Sequence, residues 1–131
     1  MGITLHNVAY SMDMGYGQFF NLRLTVAKCL DEKFATLYRD FYRETDDSNQ
    51  AIEKLNQYIE SNLKDDCILD FLLQPDCEGN VSSKTCKRIY EVIKNYDNNY
   101  MYGYVHSNNT FTYFKNMIHD CAIKHRKLYW R

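Results

Sequence analysis

The chain has 131 residues with a formal net charge of −1, and 45% of its residues are hydrophobic. These values suit a single globular domain, residues 1–131, and they exclude a wholly disordered chain and an overall charge that would attract nucleic acid or a membrane surface. No apolar run approaches the roughly 20 residues that a membrane-spanning helix needs, and we expect no secretory leader, because polar residues interrupt the apolar ones after Met1. We therefore expect a cytoplasmic protein without a membrane contact.

The five cysteines form an odd set without a CxxC pair. We expect reduced, mostly buried thiols, and the alternative is one disulfide within the region of Cys67, Cys77 and Cys86. Asn, Lys, Tyr, Ile and Asp are abundant, and there is a single proline. These residues have AT-rich codons, which indicates a low-GC bacterium or its phage.

In the first third of the chain, residues 3–16 look extended or irregular, and Gly15 and Gly17 predict a tight turn after them. From Gln18 the apolar spacing predicts two helices, which we expect to be separated near Leu30. The residues predicted to face inward are Phe20, Leu24, Ala27 and Leu30, followed by Phe34, Leu37, Tyr38, Phe41 and Tyr42.

In the middle of the chain, a polar loop leads to a third helix, and residues 65–73 predict a short, very apolar helix in the core. The turn after it ends at Gly79, which we expect to have a positive φ, and Ser82 or Ser83 then caps the next helix. The inward positions of these helices are Ile52, Leu55, Ile59 and Leu63, then Cys86, Ile89, Tyr90, Ile93 and Tyr96.

In the last third, apolar and aromatic residues alternate over residues 100–106, which predicts a short strand. A final helix follows, and residues 128–130 are extended and able to pair with the N-terminal segment. The predicted core positions of this helix are Phe111, Phe114, Met117 or Ile118, Cys121, Ala122 and His125. The sequence therefore predicts a mainly α fold of five or six short helices in one compact domain, with a small two-stranded β ribbon from the termini or from residues 100–104.

Two groups of residues raise the question of a metal site. Asp76 and Glu78 precede Gly79 as they would in an EF-hand loop, but Thr85 stands where that loop has its bidentate Glu. Cys121 and His125 are four residues apart on the last helix, with His119 on another side. A helix-connecting turn and a core cysteine explain these residues more simply, so we expect no metal and no cofactor.

The segment 76–82, Asp-Cys-Glu-Gly-Asn-Val-Ser, resembles the SDCDGxI signature of a group of small, largely uncharacterised bacterial and phage proteins. The likeness extends to the opening Met14-Gly15-Tyr16…Phe20…Arg23, to the helix led by Cys86, and to the last helix with its apolar tail. Gln74 and Pro75 stand where the group has His and Ser, and Glu78 stands where it has Asp. The resemblance implies no known activity.

Two regions are candidates for binding. Tyr100, Tyr102, Tyr104, His106 and Tyr113 lie among several asparagines, and tyrosine with asparagine is typical of protein-binding surfaces. The alternative is a nucleic-acid contact through the basic C-terminal residues, because cations beside flat rings suit single strands. Those residues are Lys124, Arg126, Lys127 and Arg131.

Catalytic motifs are missing from the sequence, which has no Walker loop, no G-x-S-x-G elbow and no H-E-x-x-H. We therefore expect a protein that is not an enzyme. The function that the sequence favours is a small protein-binding regulator or inhibitor, encoded by a phage or mobile element, such as an inhibitor of a host defence nuclease. The runner-up is a protein that contacts nucleic acid.

Overall fold

The computed structural model describes residues 2–43, 48–96 and 110–131. Within these residues the four strands are β1 Gly2–His6, β2 Ser11–Gly15, β3 Gly79–Val81 and β4 Leu128–Trp130. The six helices are α1 Tyr16–Leu30, α2 Glu32–Arg43, α3 Ser48–Asn62, α4 Leu69–Leu72, α5 Ser83–Ile93 and α6 Thr110–Ile123. None of them combines the length and the hydrophobicity that crossing a membrane requires. The predicted mainly α fold is confirmed.

The sheet is larger than the predicted two-stranded ribbon. Its four strands are antiparallel, in the order β2-β1-β4-β3. The predicted pairing of the two ends of the chain is confirmed, because Leu5 pairs with Trp130 and His6 with Tyr129. Strand β3, from the middle of the chain, pairs with β4 at the C-terminus. The sequence separation between these strands is too large for a local pattern to predict their pairing.

The tight turn lies elsewhere than expected. The chain reverses direction between β1 and β2, where Asn7 Oδ1 accepts hydrogen bonds from the backbone N–H groups of Ala9 and Tyr10, both at 2.8 Å. Gly15 is in extended conformation and α1 begins at the next residue, so the turn predicted at Gly15 and Gly17 is wrong. An asparagine side chain that mimics a backbone turn does here what the glycines were expected to do.

Helix α1 lies in the centre of the molecule and is buried on most sides. Phe19, rather than the predicted Phe20, is fully buried, and its ring packs on Trp130 at 5.6 Å between centroids. The predicted break after Leu30 is confirmed. There the Asp31 carboxylate caps α2 by accepting from the backbone N–H groups of Lys33 and Phe34, at 2.9 and 3.1 Å.

The remaining helices bury most of their predicted positions, with exceptions at the ends of the stripes. The Ser82 cap is confirmed, since its Oγ accepts from Thr85 N–H at 3.3 Å. Tyr42 and Ile52 were expected inside but are 40% and 39% exposed. His125 is exposed as well, because it ends α6 with a φ of 54° while Arg126 N–H donates to the Cys121 carbonyl at 3.0 Å.

The turn before β3 is closed by a side chain. Gln74 Nε2 donates to the carbonyls of Asp70 and Asn80, both at 2.7 Å, and its Oε1 accepts from Asn80 N–H at 3.2 Å. Gly79 is already part of β3 and does not have a positive φ. The predicted positive φ of Gly79 is therefore wrong. A glycine is needed at this position for a different reason, because a Cβ atom there would overlap the indole of Trp130.

Arg23 is a buried cation, only 1% exposed, on α1 beneath the sheet. Its guanidinium carbon lies 4.5 Å from the ring centroid of Phe19 and 5.4 Å from that of Trp130, and its Nη2 donates to the Gln74 carbonyl at 2.8 Å. Among the described residues no carboxylate pairs with it, and its Nε has no hydrogen-bond partner. Aromatic faces stabilise this charge instead of an anion.

Candidate functional site

An aromatic surface lies where the end of α2 meets α1 and the end of α4. The Tyr42 ring lies 5.7 Å from the Phe20 ring, 4.7 Å from Tyr38 and 4.9 Å from Phe41. We name this surface the Tyr42 surface and define it by its wholly or partly exposed members, Phe20, Phe41, Tyr42, Arg43 and Leu73.

The sequence of α2 explains why these rings gather. Phe34, Tyr38 and Tyr42 follow one another at four-residue spacing and form one stripe on the helix. The first two residues of this stripe are buried, whereas Tyr42 lies at the rim. The buried Tyr38 hydroxyl donates to the Leu72 carbonyl at 2.7 Å, and that of Tyr42 reaches the same oxygen at 3.4 Å. Burial raises the pKa of Tyr38, so this anchor stays protonated.

Exposure sets the Tyr42 surface apart from the core beneath it. Tyr42 is 40% and Leu73 is 41% exposed. The Arg43 guanidinium lies 5.6 Å from the Phe20 ring centroid, which adds a cation to the rim of an apolar patch. Rings, a leucine and an arginine in one place can bind another surface by burying area.

Only part of the site predicted from sequence falls within the described residues. Tyr100, Tyr102, Tyr104 and His106 lie outside them, whereas Tyr113 is at the start of α6. The Tyr113 hydroxyl donates to the Ser11 carbonyl at 3.0 Å and accepts from Ser11 N–H at 3.1 Å, and its ring packs edge-on against Tyr10. These contacts fasten α6 to β2, while Tyr113 is 38% exposed, so its role in partner binding stays a prediction.

The basic C-terminal residues divide into two groups. Arg126 Nη1 lies 3.0 Å and Lys124 Nζ 3.6 Å from the Asp120 carboxylate, so their charges are partly neutralised. Lys127 and Arg131 are exposed, and no ion pair joins either of them to another described residue. Of the four predicted residues, Lys127 and Arg131 are therefore the two that no described carboxylate pairs with.

A buried polar network joins the β1–β2 turn to α6. Asn7 Nδ2 donates to Asp120 Oδ2 at 2.9 Å and lies 3.1 Å from Cys121 Sγ. The hydrogen bond from the Cys86 thiol lowers the pKa of Cys121 despite its burial, and the same bond raises the pKa of Cys86. Both thiols are fully buried, and all five cysteines are free, so the alternative disulfide is not formed.

The residues considered for metals do not converge. His119 is exposed and stacks on Tyr90 with 4.4 Å between ring centroids, while Cys121 is buried and His125 is exposed beyond the helix. Asp76 and Glu78 are both exposed, in a turn that Gln74 closes. In the described part of the chain, no three His, Cys, Asp or Glu side chains are grouped to hold a metal ion.

Comparison of the chain with protein-family models, curated proteins and solved structures gave no significant match. The resemblance to the SDCDGxI group therefore stays a prediction.

The Tyr42 surface was missed because its residues fit a helical stripe so well that they were assigned to the core. One signal pointed to it. The stripe of α2 ends in Phe41-Tyr42-Arg43, directly before the polar segment 44–48, and aromatic residues in the last turn before a polar loop lie at the edge of a core rather than at its centre.

Proposed function

We propose that this protein is a small binding module that acts as a regulator or inhibitor by covering a surface of a protein partner. The observation that supports this most is the Tyr42 surface, in which Tyr42 and Leu73 are both about two-fifths exposed beside Arg43. Tyrosine and arginine are enriched among residues that dominate binding energy, and large exposed apolar patches on monomers commonly mark interaction sites.

The rigidity of the Tyr42 surface favours tight binding. Its rings pack against one another and against the buried Tyr38, whose hydroxyl is held by the Leu72 carbonyl. Side chains that are already ordered lose little conformational entropy when a partner covers them, so more of the buried area contributes to affinity. A loose group of exposed rings on a loop would lack this advantage.

The partner that fits the Tyr42 surface has an apolar patch with a carboxylate at its edge. The apolar patch would cover Tyr42 and Leu73, and the carboxylate would face Arg43, which is exposed and lies against Phe20. Charge complementarity of this kind sets specificity and association rate more than affinity. Tyr100, Tyr102, Tyr104 and His106 remain a second contact region of this proposal, on sequence grounds.

A cytoplasmic location and an origin in a phage or mobile element belong to the same proposal. The free cysteines and the abundance of residues with AT-rich codons support them. A small protein that covers another surface suits inhibition, and an inhibitor of a host defence nuclease is one specific form of it.

Comparative capture from host lysate tests the proposal. We expect a partner that the native protein and Ile123→Ser both enrich, and that the double variant Tyr42→Ser with Leu73→Ser loses. Ile123 is a matched control because it is 58% exposed on α6, outside the Tyr42 surface. Arg43→Glu keeps every aromatic ring, and it replaces the double variant as the test if the double variant does not fold; it should also lose the partner. Equal enrichment by all variants would contradict the proposal.

A further inference from the structure

The outer face of the sheet, turned away from the helices, holds two stacked rings. Along β4, Leu128 and Trp130 are buried while Tyr129 between them is 43% exposed, as strand alternation requires. Tyr129 is paired with His6 on β1 and with Asn80 on β3. The rings of His6 and Tyr129 stack, with 5.6 Å between centroids and 17° between planes.

A groove of about 380 Å³ runs beside this stack, towards β3. Its lining includes Tyr129, Asn80, Glu78 and Arg131. His6 lines the groove together with Tyr129, so the groove opens beside both stacked rings and a flat ring bound in it can contact the exposed Tyr129 side chain. The volume exceeds that of a single nucleobase.

The polar side chains of the groove have unused hydrogen-bonding capacity. Within the described residues, the side chains of Glu78, Asn80 and Arg131 form no hydrogen bond or ion pair. The backbone of Arg131 is nevertheless fixed, since it exchanges hydrogen bonds with Thr4 at 2.8 and 3.2 Å. Lys127, two residues before Tyr129, is also exposed. The groove thus joins an exposed ring, an amide, a carboxylate and the cation of Arg131, and Lys127 lies outside its lining.

We propose that this groove binds a nucleoside phosphate with a guanine base, either as a free nucleotide or within a single strand. The base stacks on Tyr129, as bases do on aromatic residues of sheet platforms. The Watson–Crick edge of guanine carries two adjacent N–H groups, which match the paired oxygens of the Glu78 carboxylate, and Asn80 can donate to a base carbonyl. Arg131 binds the phosphate.

This site goes beyond the proposed function, because it lies on the sheet rather than on the Tyr42 surface. The two proposals can also be contradicted separately. Tyr42 and Tyr129 are nearly equally exposed, so each serves as the matched control for the other: Tyr129→Ala should weaken nucleotide binding without affecting partner binding, and Tyr42→Ala should leave nucleotide binding unchanged.

Titration with guanosine monophosphate, followed by NMR shifts of the backbone amides, tests the site. We expect saturable binding that shifts Asn80, Tyr129 and Arg131, that weakens by about tenfold or more in Tyr129→Ala and Arg131→Ala, and that exceeds binding of adenosine monophosphate. Tyr129→Phe keeps the ring and should bind normally. If Tyr129→Ala does not fold, the affinity of Arg131→Ala for guanosine monophosphate tests the site instead.

A short guanine-containing single strand distinguishes the two sources of the base. Tighter and salt-sensitive binding of the strand would assign the site to nucleic acid, and equal binding would assign it to the free nucleotide; either result supports the groove. Absence of saturable shifts with both ligands, equal affinity for the guanine and adenine nucleotides, or the same loss in Tyr42→Ala would overturn the proposal.

Discussion

Gly79 lies flat against the indole of Trp130, its partner across the β3–β4 ladder, with no room for a Cβ atom between them. The nearest atom of the ring is Cζ2, in the benzo half of the indole. Trp130 is itself fixed, because its Nε1 donates to the Pro75 carbonyl at 3.0 Å and its ring packs on Phe19 and Phe71. Residue 79 is therefore a glycine for reasons of space.

Gly79→Val should destabilise the protein by about 1–3 kcal/mol, as overpacking in a filled core does. Denaturant unfolding measures the effect. Gly17→Ala is the control, because a Cβ at residue 17 meets no atom within 4 Å, and it should leave stability unchanged or slightly raised. In a Trp130→Phe background, which removes Cζ2, the cost of Gly79→Ala should shrink. An unchanged cost would show that overlap with the indole is not the cause.

Arg23→Lys should destabilise the protein by about 2 kcal/mol or more, although it keeps the charge. An ammonium group cannot lie against the Phe19 ring and also reach the Gln74 carbonyl, so this partly buried oxygen would lose its donor. Arg23→Met should cost less, because it fills similar space without burying a charge. Urea unfolding of both variants provides the comparison. A smaller loss of stability in Arg23→Lys than in Arg23→Met would contradict the role of the aromatic rings around Arg23.

Stability should fall at acidic pH partly through Asp66. Burial alone would raise the pKa of its carboxyl, but hydrogen bonds and the charge of Arg88, with Nη2 at 2.9 Å from Oδ2, lower the pKa below its ordinary value. Because the pKa is lower in the folded protein, ionised Asp66 stabilises the fold at pH values above about 3.9, the pKa in the unfolded chain. This stabilisation is lost as the pH falls through the folded pKa. The difference in stability between native protein and Asp66→Asn should therefore vanish at low pH.

Glu60→Gln is the control for Asp66. Its ion pair with Lys64 is exposed on both sides, so the substitution should change little at any pH. Melts recorded from neutral to strongly acidic pH give the comparison. A stability difference for Asp66→Asn that stays constant as the pH falls would contradict the role of Arg88.

Local signals allowed much of the helical fold to be predicted. Asp31 as a cap and Ser82 before an amphipathic run mark their helix starts within a few residues. The sheet could not be predicted in the same way, because Val81 pairs with Leu128 far along the chain. In α1 the prediction chose Phe20 over Phe19, since a helix buried on most sides has no single apolar face to read.

The candidate sites were harder to predict than the fold. Tyr42 follows the core spacing of α2, and only its place at the rim exposes it. His6 and Tyr129 lie at opposite ends of the chain, and only the β1–β4 register stacks them. Lys124 and Arg126 looked free in sequence, but Asp120 binds both. Surfaces depend on which strands and helices become neighbours, which spacing along the chain does not determine.

Cys77 should react first with a thiol reagent such as N-ethylmaleimide, because it is exposed while Cys86 and Cys121 are fully buried. Burial also raises the pKa of Cys29 to about 11, which leaves little thiolate at neutral pH. Mass spectrometry of the labelled peptides over time gives the order, and Cys77→Ser should remove the fast phase. Labelling of Cys121 as fast as Cys77 would show that α5 and α6 do not pack as described.

The Tyr42 surface is tested most directly by a photo-crosslinking amino acid at residue 42, compared in host cells with the same group at residue 123. Both positions are exposed and apolar, but only Tyr42 belongs to the surface. We expect one discrete crosslinked partner from position 42, lost when Arg43→Glu is added, and none from position 123. The same products from both positions, or none from position 42 while the partner is still captured, would contradict a protein-binding role for this surface.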